Sequence, residues 1–382
     1  MANEKKTVRE PSFILALVPI VAMIGFMLYC FRGHSETGYH DAHLPLVMSI
    51  IVACIVGFIC GHSFQEMLAG MVERLAASME AVLILATVGF LVTSFMLSGA
   101  IPTMIVYGLD LLTPKLFLPV GCILCAIVGM ACGSSWTTTA TIGLAFLGIG
   151  AGLGIPAPIT AGMIISGAYV GDKFSPLSDT TNLAAAVAET GLFDHVTAMV
   201  STTGPTLLLS LILYTILGLN VDTSAYDATV AEGIQEAFRS AFTISPILLL
   251  PIIVVIVMCI LRVPGLVGIA ISVATAVVFM LIFQSTDIFY SYSLGDIFDV
   301  LHYGHAVETG NAVADSILGK AKGMDGMMWT INLILVALAY GGALERCGCI
   351  EKLFGGLKHK IHSVGSLILA TLLTSIFCDA TM

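Results

Sequence analysis

The sequence predicts an all-α polytopic membrane protein made of two inverted-topology repeats, each with a re-entrant hairpin and a discontinuous helix. The first observation is composition, because apolar residues make up 58% of the 382 residues and charged residues only 10%, whereas soluble domains carry about 25% charged residues. The second is a series of apolar stretches close to the roughly 20 residues that one membrane crossing needs. The third is that the pattern of residues 13–219 begins again after residue 242.

Composition and charge also exclude whole classes of function. The chain has 15 basic and 25 acidic residues, whereas a nucleic-acid partner requires a clustered basic face. Short motifs typical of metalloproteases, nucleotide-binding loops and serine hydrolases do not occur in it. We therefore expect no enzyme, no cofactor and no nucleic-acid partner, and a lipid bilayer as the surroundings.

The first elements follow from hydropathy and one capping signal. Residues 1–12 are polar and form the predicted cytoplasmic N-terminal tail, and residues 13–31, 44–60 and 81–101 are predicted membrane spans. Ser63 and Glu66 have the spacing of a capping box, which predicts that an amphipathic helix begins at Phe64.

A long uncharged stretch predicts the re-entrant hairpin. No charged residue occurs between Leu116 and Gly171, a run far longer than the roughly 20 residues of one crossing. Its middle, at residues 132–139, is the polar string Cys-Gly-Ser-Ser-Trp-Thr-Thr-Thr. Irregular backbone at membrane depth is tolerated only where it is buried in protein or lines a watery cavity. The tip of this hairpin is therefore predicted to face a cavity.

The discontinuous helix is predicted directly after the hairpin. Its first arm, residues 156–171, carries Gly167 and Gly171 at the spacing of close helix packing. The polar stretch 172–182 follows, and Pro176 within it breaks a helix because proline has no amide hydrogen to donate. Apolar residues resume at 183–188, and residues 197–219 form the last predicted span of the first repeat.

The second repeat is predicted from sequence order. Residues 220–242 form a polar connecting loop, and residues 245–253 then resemble residues 13–21. An odd number of crossings in the first copy inverts the second, as in many secondary transporters, and the loop charges place the N-terminus in the cytoplasm. The second copy, residues 243–382, stops inside its predicted hairpin tip. By analogy with the first repeat we expect about 80 further residues, so the second repeat is incomplete and the sequence is truncated at its C-terminal end.

Ionisable groups inside the predicted membrane region indicate an ion site. Such groups are costly in a bilayer and are candidates for function, and here they are Asp172, Lys173 and Asp179. Asp179 is the predicted ion and proton carrier, Asp172 a second titrating group, and Lys173 its internal counter-charge. A simple Asp172–Lys173 ion pair at a helix end is the structural alternative.

Oxygen donors around these groups suit a small alkali cation. A carboxylate, several hydroxyl or amide oxygens and the carbonyls freed by a helix break together replace the hydration shell of Na⁺. The alternative for the Ser and Thr residues is hydrogen bonding to their own helix. The predicted Na⁺ ligands are Asp179, Ser178, Thr180, Thr181 and Asn182, with Ser134, Ser135, Thr137 and Thr138 of the hairpin tip.

A carboxylate that binds Na⁺ when ionised binds a proton when the cation leaves, and this competition is sufficient for antiport. Other classes remain as alternatives. One alternative is a channel, which is expected to show a continuous polar face or rings of charge. The other alternative is a membrane scaffold that transports nothing.

Several strings carry a resemblance to a known family. They are Ser-Gly-Ala-Ile-Pro-Thr-Met at 98–104, Gly-Ser-Ser-Trp-Thr-Thr at 133–138, Gly-Ile-Pro at 154–156, Ser-Gly-Ala-Tyr-Val-Gly-Asp-Lys at 166–173 and Ser-Pro-Leu-Ser-Asp-Thr-Thr-Asn-Leu at 175–183. Together they resemble the NhaC family of Na⁺/H⁺ antiporters, within the ion-transporter superfamily.

The resemblance implies a multi-pass protein of the bacterial or archaeal inner membrane, with Na⁺ and H⁺ as transported ions. It does not fix the substrate, because the family also includes exchangers of malate for lactate coupled to H⁺ and Na⁺. The predicted membrane core contains no arginine to pair with a carboxylate, which favours cation exchange. A homodimer is expected by analogy with transporters of this architecture.

The cysteines are expected to be structural. Cys122 and Cys125 have the spacing of a redox motif but lie on an apolar helix, where packing is the expected role. The side chains at Cys347, Cys349 and the loop histidines His34, His40 and His43 are of metal-binding types, but we expect them to be solvated loop residues.

Overall fold

All described elements are helical, which confirms the all-α prediction. The computed structural model describes residues 8–31, 41–132, 134–175, 178, 180–181, 184–185, 190–220, 228–261, 263–284, 294–358 and 364–381. The elements of the first predicted repeat are α1 (Phe13–Phe31), α2 (His43–Ile59), α3 (Phe64–Ala77), α4 (Met79–Leu97), α5 (Ala100–Leu111), α6 (Pro114–Cys132), α7 (Ser135–Thr138), a π turn (Thr139–Gly143), α8 (Leu144–Gly152), α9 (Ala157–Phe174) and α10 (Leu192–Leu219).

The helices continue through the remainder of the chain. They are α11 (Ala228–Ala241), a 3₁₀ turn (Pro246–Leu249), α12 (Leu250–Ile260), α13 (Gly265–Phe283), α14 (Leu294–Tyr303), α15 (Ala312–Leu318), α16 (Asp325–Arg346), α17 (Cys349–Lys358) and α18 (Val364–Thr381). Helix α11 lies inside the segment that the sequence predicts as a polar connecting loop. It is amphipathic, with Ala231, Ile234 and Phe238 buried, so packing of one apolar face stabilises it.

Length and apolar composition identify the candidate membrane spans. Among the described residues, four helices meet both criteria, namely Phe13–Phe31, Leu192–Leu219, Gly265–Phe283 and Asp325–Arg346, and up to six spans result if each of two bent helix pairs counts as one. These pairs are Phe64–Ala77 with Val82–Leu97, bent by 45°, and Thr229–Ala241 with Pro246–Met258, bent by 90°. The chain is therefore a polytopic membrane protein by composition, and the inverted orientation of its repeats stays a prediction.

The chain divides into two compact units. The terminal unit comprises residues 1–83 and 328–382, and the central unit comprises residues 84–327. This division follows compactness rather than sequence repetition, and it leaves the repeat boundaries at 13–219 and 243–382 as predictions.

The terminal unit has its own apolar core. Its buried side chains come from α1, α2, the start of α3, the end of α16 and the α16–α17 turn. The predicted capping box at the start of α3 is present, because Glu66 N donates to Ser63 Oγ over 3.2 Å and Ser63 N donates to Glu66 Oε2 over 2.8 Å. Helices α3 and α16 cross closely, since a Cβ placed on Gly342 would meet Gly70 O at 2.6 Å.

The central unit holds the larger core and the helix breaks. Its buried residues come from α4, α5, α6, α8 and α9, with contributions from α11, α12, α13 and α15. Helices α4 and α5 are separated at Gly99, which adopts a left-handed backbone with φ +81°. The polar string predicted as the hairpin tip interrupts the helix between α6 and α7. The prediction that α6 and the helices after this break form a re-entrant hairpin in the membrane stays a prediction.

Candidate functional site

The site is positioned by the close packing of α9 against α6. A Cβ placed on Gly167 would meet Cys122 O and the Cys125 side chain, and one placed on Gly171 would meet Ala126 O and, at 2.7 Å, Met130 N. The two backbones are therefore in direct contact, as the spacing of Gly167 and Gly171 predicts. Cys122 and Cys125 are buried in this interface, which agrees with the packing role expected for them.

Helix α9 continues beyond the predicted end of its arm. The sequence predicts a break from residue 172 onward, whereas α9 ends at Phe174 and contains Asp172 and Lys173 in its last turn. The reason is that Ser175 N still donates to Asp172 O over 3.1 Å, which closes that turn. Asp172 therefore lies on the close-packed side of a helix end and is only 5% exposed.

Hydroxyl groups surround the Asp172 carboxyl group. Ser135 Oγ donates to Asp172 Oδ2 over 3.4 Å, and Thr180 Oγ1 donates to the same oxygen over 3.4 Å. The side chain of Ser178 is a third hydrogen-bond partner of this carboxyl group. Among the described residues, Asp172 is the only buried aspartate or glutamate. The structure therefore brings together Ser135, Ser178 and Thr180 around Asp172, and their role as ion ligands stays a prediction.

The end of α9 is held by the residues that follow it. Thr181 Oγ1 donates to Asp172 O over 3.3 Å and to Lys173 O over 3.4 Å, so it binds carbonyls of the last turn of α9. Ser178 Oγ lies 3.0 Å from Thr180 Oγ1, and Thr181 N donates to Ser178 Oγ over 3.4 Å. Ser178, Thr180 and Thr181 thus lie against the end of α9.

Lys173 contacts the site through a hydroxyl group. Its Nζ donates to Thr180 Oγ1 over 3.3 Å, and among the ion pairs of the described residues none within 4.0 Å joins Lys173 to Asp172. Thr180 Oγ1 therefore stands between the lysine and the carboxyl group. The simple Asp172–Lys173 ion pair considered from the sequence is not formed here.

The remaining predicted ligands of the hairpin tip bond within their own segment. Ser134 Oγ accepts from Thr137 N over 3.3 Å and from Thr137 Oγ1 over 3.2 Å, and Thr138 Oγ1 donates to Ser134 O over 2.9 Å. Ser134 caps the N-terminus of α7, and the bond of Thr138 is the helix back-bonding weighed as the alternative for such residues. Of the four tip residues, Ser135 is the one that reaches Asp172.

Two predicted site residues are outside the described residues. Asp179, predicted as the main carrier, and Asn182, predicted as a ligand, both fall there, as does most of the second arm of the discontinuous helix. Asp172, predicted as a second titrating group, is the predicted site carboxyl group whose surroundings the structure describes.

The donor set is suited to a hard cation rather than to a transition metal. Within the described part of the chain, no group of three or more His, Cys, Asp or Glu side chains could hold a metal ion. One carboxylate with several hydroxyl oxygens instead resembles the oxygen shell of an alkali ion. The C-terminal end of α9 also carries partial negative charge that favours a cation.

Cys347, Cys349 and His43 are less exposed to solvent than the sequence predicts. Cys347 and Cys349 are 1% and 0% exposed, so the prediction of solvated loop residues is wrong for both. The reason is that the α16–α17 turn packs into the core of the terminal unit. His43 is half-buried and its ring nitrogens lie 2.5 Å from Asp41 Oδ1 and 3.1 Å from Trp329 O; His34 and His40 are outside the described residues.

The fold and the site define a class: a polytopic helical membrane protein with a buried carboxyl group among hydroxyl ligands. Residues 167–382 match the model of the Na⁺/H⁺ antiporter family. Together with the relatives below, this match shows that the chain belongs to that family. It is a transporter family rather than an enzyme family, as the sequence predicts.

Three relatives cover most of the chain. The Na⁺/H⁺ antiporter NhaC of Alkalihalophilus pseudofirmus is 34% identical over 88% of this chain and 71% of the relative. The arginine/ornithine antiporter ArcD of Halobacterium salinarum is 34% identical over 97% of this chain and 75% of the relative. The malate-2H⁺/Na⁺-lactate antiporter of Bacillus subtilis is 31% identical over 98% of this chain and 78% of the relative. No solved structure matches the chain.

Proposed function

We propose that this chain exchanges Na⁺ for H⁺ across the bacterial or archaeal inner membrane, and that Asp172 is one of the carboxyl groups that bind the ion. The observation that carries the proposal is the buried Asp172 carboxyl group, which has three hydroxyl partners and no ion pair with the neighbouring Lys173. A buried carboxylate without a direct ion pair favours a bound cation or a proton. Alternation between these two is Na⁺/H⁺ antiport.

The chemistry of the cycle follows from this competition. In the ionised state, Asp172 and the hydroxyl oxygens of Ser135, Ser178 and Thr180 offer oxygen ligands to Na⁺, and the C-terminal dipole of α9 adds attraction. When Na⁺ leaves, the desolvated carboxylate takes up a proton, because burial disfavours its charge. We retain Asp179 as the ion and proton carrier predicted from the sequence, acting beside Asp172, and Lys173 as the counter-charge. The further proposed ligands are Thr181, Asn182, Ser134, Thr137 and Thr138.

The exchange of small carboxylates is the second candidate. The similarity to a malate-2H⁺/Na⁺-lactate antiporter supports it, and Lys173 Nζ at Thr180 supplies one positive group near the site. The described surroundings of Asp172 include no arginine, whereas a dicarboxylate is best held by bidentate guanidinium groups. Cation exchange is therefore the preferred proposal. The cytoplasmic N-terminus and the homodimer predicted from sequence and analogy belong to the same proposal.

The test uses everted membrane vesicles and a dye that reports internal pH. Vesicles with the unmodified chain are expected to release protons when Na⁺ is added. Asp172→Asn is expected to abolish the response while leaving membrane insertion intact, because an amide cannot alternate between a proton and Na⁺. Asp179→Asn is expected to do the same, because Asp179 is the other proposed carrier. Asp194→Asn is the matched control, since Asp194 is exposed at the start of α10.

Each result separates the candidates. A normal response in Asp172→Asn would refute the proposed role of Asp172. A response of the unmodified chain to Na⁺ only when malate or lactate is present would favour carboxylate exchange. Failure of Asp194→Asn together with the two site variants would indicate a general loss of assembly rather than loss of the ion site.

A further inference from the structure

Two thiols meet at the turn between α16 and α17, in the terminal unit. Cys347 Sγ lies 3.1 Å from Cys349 Sγ, and both residues are buried. Gly348 between them has a left-handed backbone with φ +73°, which brings the end of one helix directly to the start of the next. A single residue therefore separates two sulfur atoms that are already in contact.

The surroundings of Cys347 favour its thiolate. The hydrogen bond between the Cys347 and Cys349 thiols, together with bonds from the backbone N–H groups of Cys349 and Cys347, lowers the pKa of Cys347, against the opposing effect of burial. Cys347 directly follows the last residue of α16, Cys349 is the first residue of α17, and Cys347 Sγ also donates to Leu344 O over 3.3 Å. Two thiols in contact, one of them with a lowered pKa, form a dithiol that is suited to oxidation.

A short strap covers this turn. Pro11 lies against it, since a Cβ on Gly348 would be 3.5 Å from Pro11 Cδ. The strap, residues 9–11, is held by a hydrogen bond from Arg9 N to Cys60 O of 2.8 Å and by the ion pair of Glu10 with Lys352 at 3.4 Å. Glu10 is 87% exposed, so this ion pair contributes little to closure. Brief opening of the strap would admit a molecule as small as a peroxide.

We propose that Cys347 and Cys349 form a redox-active dithiol, a modification site that hydrogen peroxide converts to a disulfide independently of ion transport. The Cys347 sulfur attacks one peroxide oxygen, the O–O bond breaks, and the products are a sulfenic acid and a hydroxide that takes the thiol proton to become water. The Cys349 sulfur then attacks the sulfenic sulfur and a second water leaves with the second thiol proton. Two thiols are oxidised to one disulfide, and one peroxide is reduced to two waters.

Other thiols provide an internal comparison. Cys54 and Cys60 belong to the same core, with Cys54 partly buried. Within the described part of the chain, neither of them has a sulfur–sulfur hydrogen bond comparable to that of Cys347 and Cys349. We therefore expect oxidation to form a disulfide between Cys347 and Cys349 within the turn, rather than a cross-link from either of them to Cys54 or Cys60.

The experiment treats the full chain in membrane vesicles with hydrogen peroxide, then denatures it in acid, alkylates free thiols and digests it with trypsin. The peptide of residues 347–352 carries both thiols. It is expected to lose both alkylation sites and two hydrogen atoms of mass, and to regain them after reduction with a dithiol. Cys60→Ser is expected to leave this result unchanged, whereas Cys349→Ser removes the disulfide form and leaves Cys347 as its sulfenic acid or free thiol.

The strap gives a second, independent readout. Glu10→Gln is expected to raise the oxidation rate by up to about fivefold, because it removes one exposed ion pair. Glu73→Gln on the exposed side of α3 is the matched control and is expected to leave the rate unchanged. Full alkylation of both thiols after peroxide, or a cross-link from either thiol to Cys54 or Cys60, would overturn the proposal.

Discussion

Ser135 and Asp172 are 37 positions apart in sequence, and Ser135 Oγ donates a hydrogen bond to Asp172 Oδ2 over 3.4 Å. Ser135 is the first residue of α7, directly after the polar break that follows α6, whereas Asp172 lies in the last turn of α9. The bond thus joins one helix start to one helix end. Because the glycine face of α9 packs on α6, a small movement of either helix changes the ligands available to the carboxyl group.

The first prediction concerns Ser135→Ala. Loss of one oxygen ligand is expected to weaken apparent Na⁺ affinity severalfold without abolishing exchange, because Asp172 keeps its carboxyl group and two other hydroxyl partners. The measurement is the Na⁺ concentration giving half of the maximal proton release in everted vesicles. Thr139→Ala is the control, since the Thr139 hydroxyl donates to Ser135 O and lies away from the carboxyl group. Equal affinities in Ser135→Ala and the unmodified chain would remove Ser135 from the ion site.

The second prediction concerns the packing of α9 on α6. Gly171→Ala places a methyl group against Ala126 O and, at 2.7 Å, against Met130 N, and backbone cannot yield as a flexible side chain does. Separation of the helices is expected to shift Asp172 and abolish exchange. Gly162→Ala on the same helix has Tyr214 Oη at 3.5 Å as its nearest neighbour and is expected to retain exchange. Retained transport in Gly171→Ala would contradict the close-packing argument.

The third prediction concerns Gln284, which joins two helix breaks in the central unit. Gln284 Nε2 donates to Ser98 O over 2.8 Å, and Thr243 N donates to Gln284 Oε1 over 3.1 Å. Gln284→Leu leaves both backbone groups without this partner, and a buried unsatisfied group costs about 1–3 kcal/mol. A lower unfolding temperature in detergent is expected. Asn220→Ala, which removes only an exposed bond to Ile216 O, is the control and is expected to change the unfolding temperature little.

The fourth prediction concerns pH and the start of α2. Hydrogen bonds from His43, and from the indole of Trp329 at 3.0 Å, hold the pKa of Asp41 below its ordinary value of 3.8. Since the pKa is depressed in the folded chain, the contact is fully present above pH 3.8 and is lost as pH falls through the lower folded value. In Trp136→Phe, Trp329 is the remaining tryptophan of two, and its fluorescence is expected to change only below pH 3.8. Adding Asp41→Asn is expected to remove that transition, and a transition that persists would assign it to another group.

Local signals in the sequence were sufficient for part of this structure. Helix α1 has the predicted bounds, because a continuous apolar run between polar ends leaves little choice. The capping box of Ser63 and Glu66 and the packing of Gly167 and Gly171 were equally predictable, since each depends on spacing along one helix.

Features that depend on tertiary contacts were not predicted. Burial of Cys347 and Cys349 depends on how the α16–α17 turn enters a core built from distant segments. The bonds of Gln284 join three segments that have no common sequence pattern. Helix α11 did carry a signal, because Ala231, Ile234 and Phe238 recur at helical spacing, but the acidic composition of its segment obscured it.

The last prediction concerns Lys173, whose Nζ approaches the site through Thr180 Oγ1 at 3.3 Å. A nearby positive charge favours the ionised carboxylate. Lys173→Met keeps the aliphatic stem and removes the charge, so deprotonation of the site becomes harder and the pH profile of exchange is expected to move to higher pH. Thr180→Val keeps the charge but removes the intervening hydroxyl group, and a smaller shift is expected. The measurement is Na⁺-dependent proton release in everted vesicles across a pH series. An unchanged profile in Lys173→Met would leave this lysine with a structural role at the end of α9, and a larger shift in Thr180→Val than in Lys173→Met would assign the effect to the hydroxyl group.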